Sequence, residues 1–453
     1  MKIENDLGRD DIRRLVLRLA IPSMLAQFVN VLYSVVDRMY IGNIPVTGDA
    51  ALAGVGVCGP LVSFISAFAY LVGVGGSPLM SIRMGQGNEE EAGQILSTGF
   101  ALLAVLSGVI TALTLAGREW ILRSFGASEA IYPYAEQYFT IYLMGTFFAL
   151  MSIGMNQFII CQGFAKVGMA SVAVGALINI ILDPVLIFGC SMGVKGAALA
   201  TVLSQAVSCG FVLLFLCGRR VVIRLGLRGV RKRLMGRILA LGLTPFLIIA
   251  FDNVLIITLN TVIQAYGGKD ADMLLTSMTI VQSFMLMITM PLGGITAGTG
   301  PVLGFNFGAG QPERIKSAQK YIVLLALAFN CVMFAVSQIF PGLFVKIFTG
   351  NPQYIEMAVR GIRIYALGVI PLAVQYAIVD GFTGMGIPQA AVCLSMFRKT
   401  VYIAGALLIP PFFGIENLFY TEPLSDFSGT VVSITAYVLL IGKILKRCAE
   451  NTR

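Results

Sequence analysis

The sequence predicts an all-α membrane protein with twelve transmembrane helices, arranged as two six-helix lobes related by a pseudo-two-fold axis along the membrane normal. Three observations predict this class: the composition, the spacing of the apolar runs and an internal repeat. Of the 453 residues, 57% are hydrophobic and only 12% are charged. A water-soluble protein carries about twice that share of charged residues, so most of this chain's surface is expected to face lipid.

Twelve apolar runs follow one another along the chain, each long enough to cross a bilayer, which takes about 20 mostly apolar residues. They are longer than the short alternating strands of a membrane barrel. The N-terminal segment is charged and has no small-residue cleavage site, so the first run is interpreted as a retained helix. The predicted spans are 16–41, 51–77, 92–117, 133–160, 168–190, 194–217, 238–265, 274–303, 317–340, 358–384, 391–414 and 425–446.

The two halves of the chain repeat each other without a gap. Pro22 recurs 223 positions later as Pro245, and Gly85 recurs at the same offset as Gly308. Six helices is an even number, so both halves enter the membrane from the same side, and a central cleft is expected between them. The predicted domains are an N-terminal lobe at 1–217, a basic linker at 218–237 and a C-terminal lobe at 238–453.

The basic residues predict the orientation. About three quarters of the 32 Lys and Arg residues fall on the side of the two termini, if Arg398 and Lys399 are counted with that side. The linker alone holds eight of them and no acid. Because basic segments stay in the cytoplasm, we expect a multi-pass protein of a bacterial or archaeal inner membrane, with both termini cytoplasmic.

Four carboxylates lie inside predicted helices, where each costs about 2.5–3.5 kcal/mol to insert. They are Asp37, Asp183, Asp252 and Asp380. Asn179 shares the helix face of Asp183, and Thr201 comes to a similar depth in the next helix. Together with Asp37, these residues could hold a proton or a hard cation through oxygen ligands. Two structural alternatives stay open: Asp183 as part of a proline kink, and Asp37 as a partner of Arg38.

The repeat provides an internal comparison for these acids. Asp37 corresponds to Asn260 and Asp183 to Ala406 in the second half. A packing role would be expected in both lobes, so the one-sided charge favours a function. Asp252 is a candidate second cation site or a counter-ion for a drug. Candidate residues of a substrate cleft, which ordinary packing could equally explain, are Gln27, Asn30, Tyr33, Asn156, Gln157, Met285, Met287 and Asp380.

Two glycine turns identify a family. The segments read Met84-Gly-Gln-Gly-Asn88 and Phe307-Gly-Ala-Gly-Gln311, one in each half, and each precedes a charged helix start. With the run from Asn179 to Pro184 and the run from Val36 to Gly42, the whole chain resembles the multidrug and toxic compound extrusion (MATE) family. The resemblance implies a secondary transporter, and it implies that Asp37, Asn179, Asp183 and Thr201 line a cation site in the N-terminal lobe.

No nucleotide-binding run or histidine is present, so an ion gradient is the expected energy source. The resulting prediction is a multidrug exporter, working by alternating access, that exchanges H⁺ or Na⁺ for lipophilic, often cationic, compounds. No cofactor is expected, and neither is a metal beyond Na⁺, an enzymatic activity or a nucleic-acid partner; the partners are drugs or dyes and membrane lipids, and the chain is expected to be a monomer. A flippase for lipid-linked oligosaccharides and an ion channel remain alternatives.

Overall fold

The computed structural model describes residues 5–45, 47–125, 127–226, 229–268 and 271–450. These residues form helices and turns and contain no β-strand. Eleven helices are long and apolar enough to cross a membrane, and a bent helix pair provides a twelfth span. The predicted fold class is therefore confirmed. Parts of three predicted basic segments, namely Lys2, Arg228 and Arg453, lie outside the described residues.

The twelve spans are numbered α1 to α12 in chain order. The first six are α1 Ile12–Gly42, α2 Gly48–Gly85, α3 Glu89–Ala116, α4 Tyr132–Met144 with Thr146–Ile160, α5 Ala165–Pro184 and α6 Val194–Cys217. The last six are α7 Lys232–Tyr266, α8 Ala271–Gly308, α9 Pro312–Ile339, α10 Pro352–Tyr365 with Val369–Gly384, α11 Pro388–Phe413 and α12 Thr421–Glu450. We call α1–α6 the N-lobe and α7–α12 the C-lobe.

The internal repeat is visible in the helix ends. Helix α2 ends at Gly85 and α8 ends at Gly308, which is the offset of 223 found in the sequence. The turn that follows each helix contains a glycine with positive φ, 73° at Gly87 and 65° at Gly310. Such backbone angles strain any residue with a Cβ atom, which explains why both turns carry glycine.

Two spans of the N-lobe, α4 and α5, are irregular, and so is α10, the counterpart of α4 in the C-lobe. Helix α4 bends by 57° between Met144 and Thr146, and a 3₁₀ turn at Ala366–Gly368 interrupts α10 at the corresponding place. Helix α5 changes at Pro184 into a π-helical turn, Val185–Gly189. Proline removes a backbone donor, and π-turns are frequent at functional sites. This irregular segment lies directly after Asp183.

The lobes are in contact on the side of the N-terminus, where α1 packs on α8 and α2 packs on α7. Glycines bring the backbones together there. A Cβ atom on Gly242 of α7 would lie 1.7 Å from the carbonyl oxygen of Leu71, and one on Gly85 would lie 2.0 Å from that of Phe305. Beyond this contact, the far halves of α1 and α7 are largely exposed to the space around them. The cleft therefore opens on the side opposite the termini.

The linker between the lobes runs along the closed side. The backbone N–H of Ile223 donates to Gln162 Oε1 at 2.8 Å, and Ser97 Oγ donates to the carbonyl oxygen of Gly226 at 2.5 Å. Helix α7 begins at Lys232, so the end of the segment predicted as a linker is helical. The boundaries drawn at 217 and 238 stay a prediction.

Candidate functional site

Two carboxylates from different helices meet inside the N-lobe. Asp37 lies near the open end of α1, five residues before the helix ends at Gly42, and Asp183 lies where α5 turns into the π-helix. Their carboxyl groups are within hydrogen-bonding reach of each other. Asp183 is fully buried. The sequence predicted this pair, and the helix packing brings it together.

Three oxygen atoms of this cluster have no hydrogen-bond donor in the part of the chain that the structure describes. They are Oδ1 of Asp37, Oδ1 of Asn179 and Oδ2 of Asp183, and all three are buried. The remaining contact is the donation from Asn179 Nδ2 to Asp183 Oδ1 at 3.3 Å. Buried acceptors are normally paired. A group of unpaired oxygens from two helices is therefore suited to receive a proton or a small cation.

Thr201 approaches the cluster from α6 but is itself engaged. Its hydroxyl donates to the carbonyl oxygen of Ala197 at 3.1 Å and lies near the hydroxyl of Tyr138 on α4. Tyr138 lies close enough to Asp37 for an electrostatic interaction. Tyr138 was missed in the sequence, because a tyrosine in an apolar helix has the pattern of ordinary packing.

A row of polar contacts continues from this cluster along the inner face of the N-lobe. The hydroxyl of Tyr142 lies near Ser66 and Gln205, and Tyr33 lies near both Tyr142 and Asp37. These contacts place Tyr33, which the sequence suggested for the cleft, beside the carboxylate pair. They also show a polar face made mainly of tyrosine hydroxyls and amides.

Further along α1, Gln27 and Asn30 form a pair of their own. Asn30 Nδ2 donates to Gln27 Oε1 at 3.3 Å, and Gln27 bonds to the hydroxyl of Tyr70 on α2. Both amides are partly exposed. The two residues, which the sequence suggested for a substrate cleft, thus lie on the same helix as Asp37 and nearer to the contact between the lobes.

The other proposed cleft residues lie in varied surroundings. Asn156 is buried and joins α4 to α5, because it accepts from Ser171 at 3.2 Å and donates to the carbonyl oxygen of Gly168 at 3.4 Å. Gln157 packs against Gly73 of α2. Met285 is buried in the core of the C-lobe, and Met287 is half-buried. The structure does not bring these four residues together.

The C-lobe contains a cluster of opposite charges that the sequence did not predict. Lys399 forms an ion pair with Asp252, and Arg398 Nη1 contacts Asp426 at 3.0 Å and Glu422 at 3.3 Å. The orientation count placed Arg398 and Lys399 with the inner segments. In the structure both lie inside α11, ten and eleven residues, or about 15 Å, from its start at Pro388. The half-exposed Asp252 on α7 and the buried acids Glu422 and Asp426 on α12 make this depth possible.

Asp380 lies apart from that ion-paired cluster. It accepts a hydrogen bond from Thr296 of α8 at 2.5 Å, and Tyr376 lies between it and the charges around Arg398. Asp252 and Asp380 are therefore both occupied by partners, unlike the N-lobe pair. Among the described residues, no group of three or more His, Cys, Asp or Glu side chains is arranged to hold a metal ion.

A comparison with known proteins finds a family that matches this chain. The family MatE matches this chain twice, over residues 22–185 and again over 249–408, once in each lobe. The multidrug export protein MepA of Staphylococcus haemolyticus is 23% identical over 417 residues, which cover 92% of this chain and 91% of that protein. An FAD transporter of Shewanella oneidensis is 24% identical and covers 97% of this chain and 96% of its own length.

Solved structures show the same fold. One is the outward-facing conformation of a multidrug resistance MATE family transporter of the MOP superfamily, with a TM-score of 0.90, 23% identity and coverage of 97% of this chain and 98% of that one. Another is a MOP superfamily transporter from Pyrococcus furiosus, described by the reverse polarity of its binding pocket, with a TM-score of 0.90, 24% identity and the same coverage. Both likenesses extend over both lobes.

Proposed function

The chain belongs to the MatE family of membrane transporters, and on that premise we propose that it exports lipophilic, often cationic, small organic compounds in exchange for H⁺ or Na⁺. The family makes it a transporter and not an enzyme. The names of its relatives, multidrug export protein and FAD transporter, support small organic molecules as the transported class. The proposed location is the cell membrane, with both termini in the cytoplasm.

The observation that carries this proposal is the carboxylate pair of the N-lobe. Asp37 and Asp183 are within hydrogen-bonding reach, and each has a buried oxygen without a donor among the described residues. Two like charges this close in a medium of low dielectric constant repel strongly. A shared proton, or a Na⁺ ion held by the carboxylates and Asn179, removes that repulsion. Loading and unloading the pair thus changes the energy of bringing α1 against α5.

Helix α1 connects this pair to the contact between the lobes. Its first half packs on α8, where a Cβ atom on Gly294 would lie 2.7 Å from the carbonyl oxygen of Ser23. Pro22, one residue before that contact, leaves a backbone hydrogen bond unmade in the helix. A change at Asp37 can therefore alter the bend of α1 and with it the lobe contact. We propose that this coupling drives alternation between outward and inward openings.

In a one-for-one exchange of monocations the membrane potential cancels and the concentration gradient of H⁺ or Na⁺ drives export, whereas the potential adds to it when more positive charge enters than leaves. Each positive charge that moves inward gains about 2.3 kcal/mol per 100 mV of membrane potential. The two movements must share one conformational change, or the gradient dissipates without export. Asp37 is on α1, which packs against helices of both lobes. Binding of a proton or Na⁺ at the carboxylate pair therefore shifts the equilibrium between the outward and inward openings.

The test is drug transport in vesicles with Na⁺ and pH gradients imposed separately. Purified protein is reconstituted, and ethidium movement is followed by fluorescence for the native chain, Asp37→Asn and Asp183→Asn. We expect each variant to lose at least ten-fold in gradient-driven rate, because an amide cannot release a proton or balance Na⁺. Glu313→Gln is the control, since that acid is 81% exposed and, among the described residues, forms its ion pair with Lys316 alone.

The outcomes separate the alternatives. Native rates in both aspartate variants would contradict the assignment of the site. Ion flux without drug exchange would indicate a channel. A flippase for lipid-linked oligosaccharides is expected to have a basic cavity, whereas Arg398 and Lys399 are here held by acids; defective envelope assembly without loss of dye resistance in a deletion strain would favour it nevertheless.

A further inference from the structure

The ion pair between Asp252 and Lys399 is unevenly exposed. The side chain of Asp252 is 48% exposed, whereas that of Lys399 is only 7% exposed. Lys399 lies on α11, eleven residues past Pro388 and about 17 Å along the helix. The ammonium group is thus a buried cation near the middle of the membrane, and the carboxylate is its exposed partner.

The carboxylate of Asp252 faces other helices of the C-lobe. Besides Lys399, the carboxylate acts electrostatically on Tyr376 of α10 and Glu422 of α12, so it points towards the helices behind α7. Phe246, six residues earlier on α7, contacts Phe64 and Phe68 of α2 with ring centres 5.8 and 5.0 Å apart. These rings form the floor where the lobes meet. Asp252 lies about 9 Å further along the helix, on the side where the cleft opens.

The charges behind this pair hold Lys399 in place. Lys399 interacts electrostatically with Glu422 and Asp426, and the same two acids bind Arg398. One oxygen of Asp426 is buried without a donor in the described part of the chain, which leaves the interior of the cluster rich in acceptors. Lys399 therefore has Asp252 on its exposed side and Glu422 and Asp426 behind it, and its ammonium group offsets the negative charge of Asp252.

We propose that the pair of Asp252 and Lys399 determines which charge the C-lobe wall of the cleft accepts. The internal ammonium group occupies the position that a cationic group of a substrate would otherwise take. The native wall therefore receives the uncharged end of a lipophilic monocation, and the positive end faces the acids and tyrosines of the N-lobe. A second positive charge is rejected. This inference rests on the proposed function and specifies its substrate class as monocations in preference to dications.

The pair makes two opposite predictions for variants. Lys399→Met leaves the carboxylate of Asp252 without its cation, so the wall gains affinity for positive ligands. Asp252→Asn leaves an ammonium group without its nearest partner, so the wall gains affinity for negative ligands. The double variant loses one charge of each sign, so the wall keeps its native net charge and is expected to resemble the native chain. Lys399→Arg keeps the positive charge and serves as the conservative control.

The experiment uses two probes of almost the same size and opposite charge, tetraphenylphosphonium and tetraphenylborate. Binding to the purified full chain in nanodiscs of zwitterionic lipid is measured by equilibrium dialysis. We expect Lys399→Met to bind tetraphenylphosphonium at least ten-fold more tightly than the native chain, and Asp252→Asn to bind tetraphenylborate at least ten-fold more tightly. Native affinities for both probes in both single variants would overturn the proposal.

Two further measurements keep the result decisive. Thermal unfolding shows whether each variant is folded, and if Lys399→Met is not, the tetraphenylborate result for Asp252→Asn decides alone. The assay measures binding without an ion gradient, so it succeeds or fails independently of coupling through Asp37 and Asp183. As a direct check, export of a dication relative to a monocation should rise in Lys399→Met and stay at the native ratio in Lys399→Arg.

Discussion

At the scale of single residues, the chain contains two kinds of buried asparagine that the sequence does not distinguish. Asn179 has one bond to Asp183 at 3.3 Å and an oxygen without a donor among the described residues. Asn156 is bonded on both sides, to Ser171 and to the carbonyl oxygen of Gly168. A polar group with spare bonding capacity is suited to a ligand, whereas a satisfied one fixes two helices to each other.

Replacing each asparagine by alanine should give opposite results. Asn179→Ala is expected to weaken ion coupling by about ten-fold, since a hydrogen bond to a charged group contributes about 1.5–3 kcal/mol, and to leave the unfolding temperature close to native. Asn156→Ala is expected to lower the unfolding temperature and to keep the ion dependence of transport. Half-saturating Na⁺ or H⁺ for dye export and thermal unfolding check both. An unchanged ion dependence in Asn179→Ala would contradict its place in the site.

The residues that the sequence identified in the N-lobe are those whose cost in lipid is visible without a structure. A carboxylate in an apolar helix requires an explanation, and Asp37 and Asp183 were found on that ground. Tyr138 was not, because its hydroxyl interacts with Asp37 and Thr201, which come from other helices. For the same reason, Arg398 was counted with the inner segments, whereas it lies inside α11. Its depth is tolerable only with Glu422 and Asp426 beside it, and no pattern within α11 reveals them.

At the scale of helices, glycines decide where the lobes touch. In α2 and α7, a Cβ atom on Gly75 would lie 2.2 Å from the carbonyl oxygen of Ile238, and one on Gly242 would lie 1.7 Å from that of Leu71. Backbones approach this closely only where small residues face each other. The sequence showed these glycines and part of their repetition, but not that they pack across the lobe boundary.

Gly242→Ala should open this contact. The added methyl group cannot fit against Leu71, so we expect a lower unfolding temperature, a lower fraction of the conformation that is closed on the side of the termini, and slower export. Gly236→Ala on the same helix is the matched control, because nothing lies within 4 Å of its Cβ position. Alanine there should be neutral or stabilise the helix by up to about 1 kcal/mol. Equal unfolding temperatures for the two variants would refute the close contact.

At the scale of the whole molecule, the chain segment before α1 fastens the two lobes together. Asn5 Nδ2 donates to the carbonyl oxygen of Gly163 in the N-lobe at 2.8 Å. Across the boundary, Arg314 of α9 donates to the carbonyl oxygens of Leu7 at 3.2 Å and Asp10 at 2.9 Å, and its Nε donates to Asn306 at 2.8 Å. In the alternating access proposed above, an inward opening separates the lobes on this side, so the segment would have to release at least one lobe in each cycle.

Arg314→Ala should therefore shift the conformational equilibrium away from the closed side. Loss of two bonds from a charged donor amounts to about 3 kcal/mol, which corresponds to roughly a hundred-fold change in an equilibrium constant. Spin labels at Gln86 and Gln311, in the two glycine turns, would report the separation by pulsed electron resonance. We expect longer distances in Arg314→Ala and native ones in Lys316→Ala, since Lys316 is exposed and pairs only with Glu313. If the distance between the two spin labels is the same in both variants, the segment before α1 does not stabilise the contact between the lobes. The proposed coupling-ion site at Asp37 lies on the helix that this segment precedes. Addition of Na⁺ or acid should therefore restore part of the shift only if the two ends of α1 are mechanically connected.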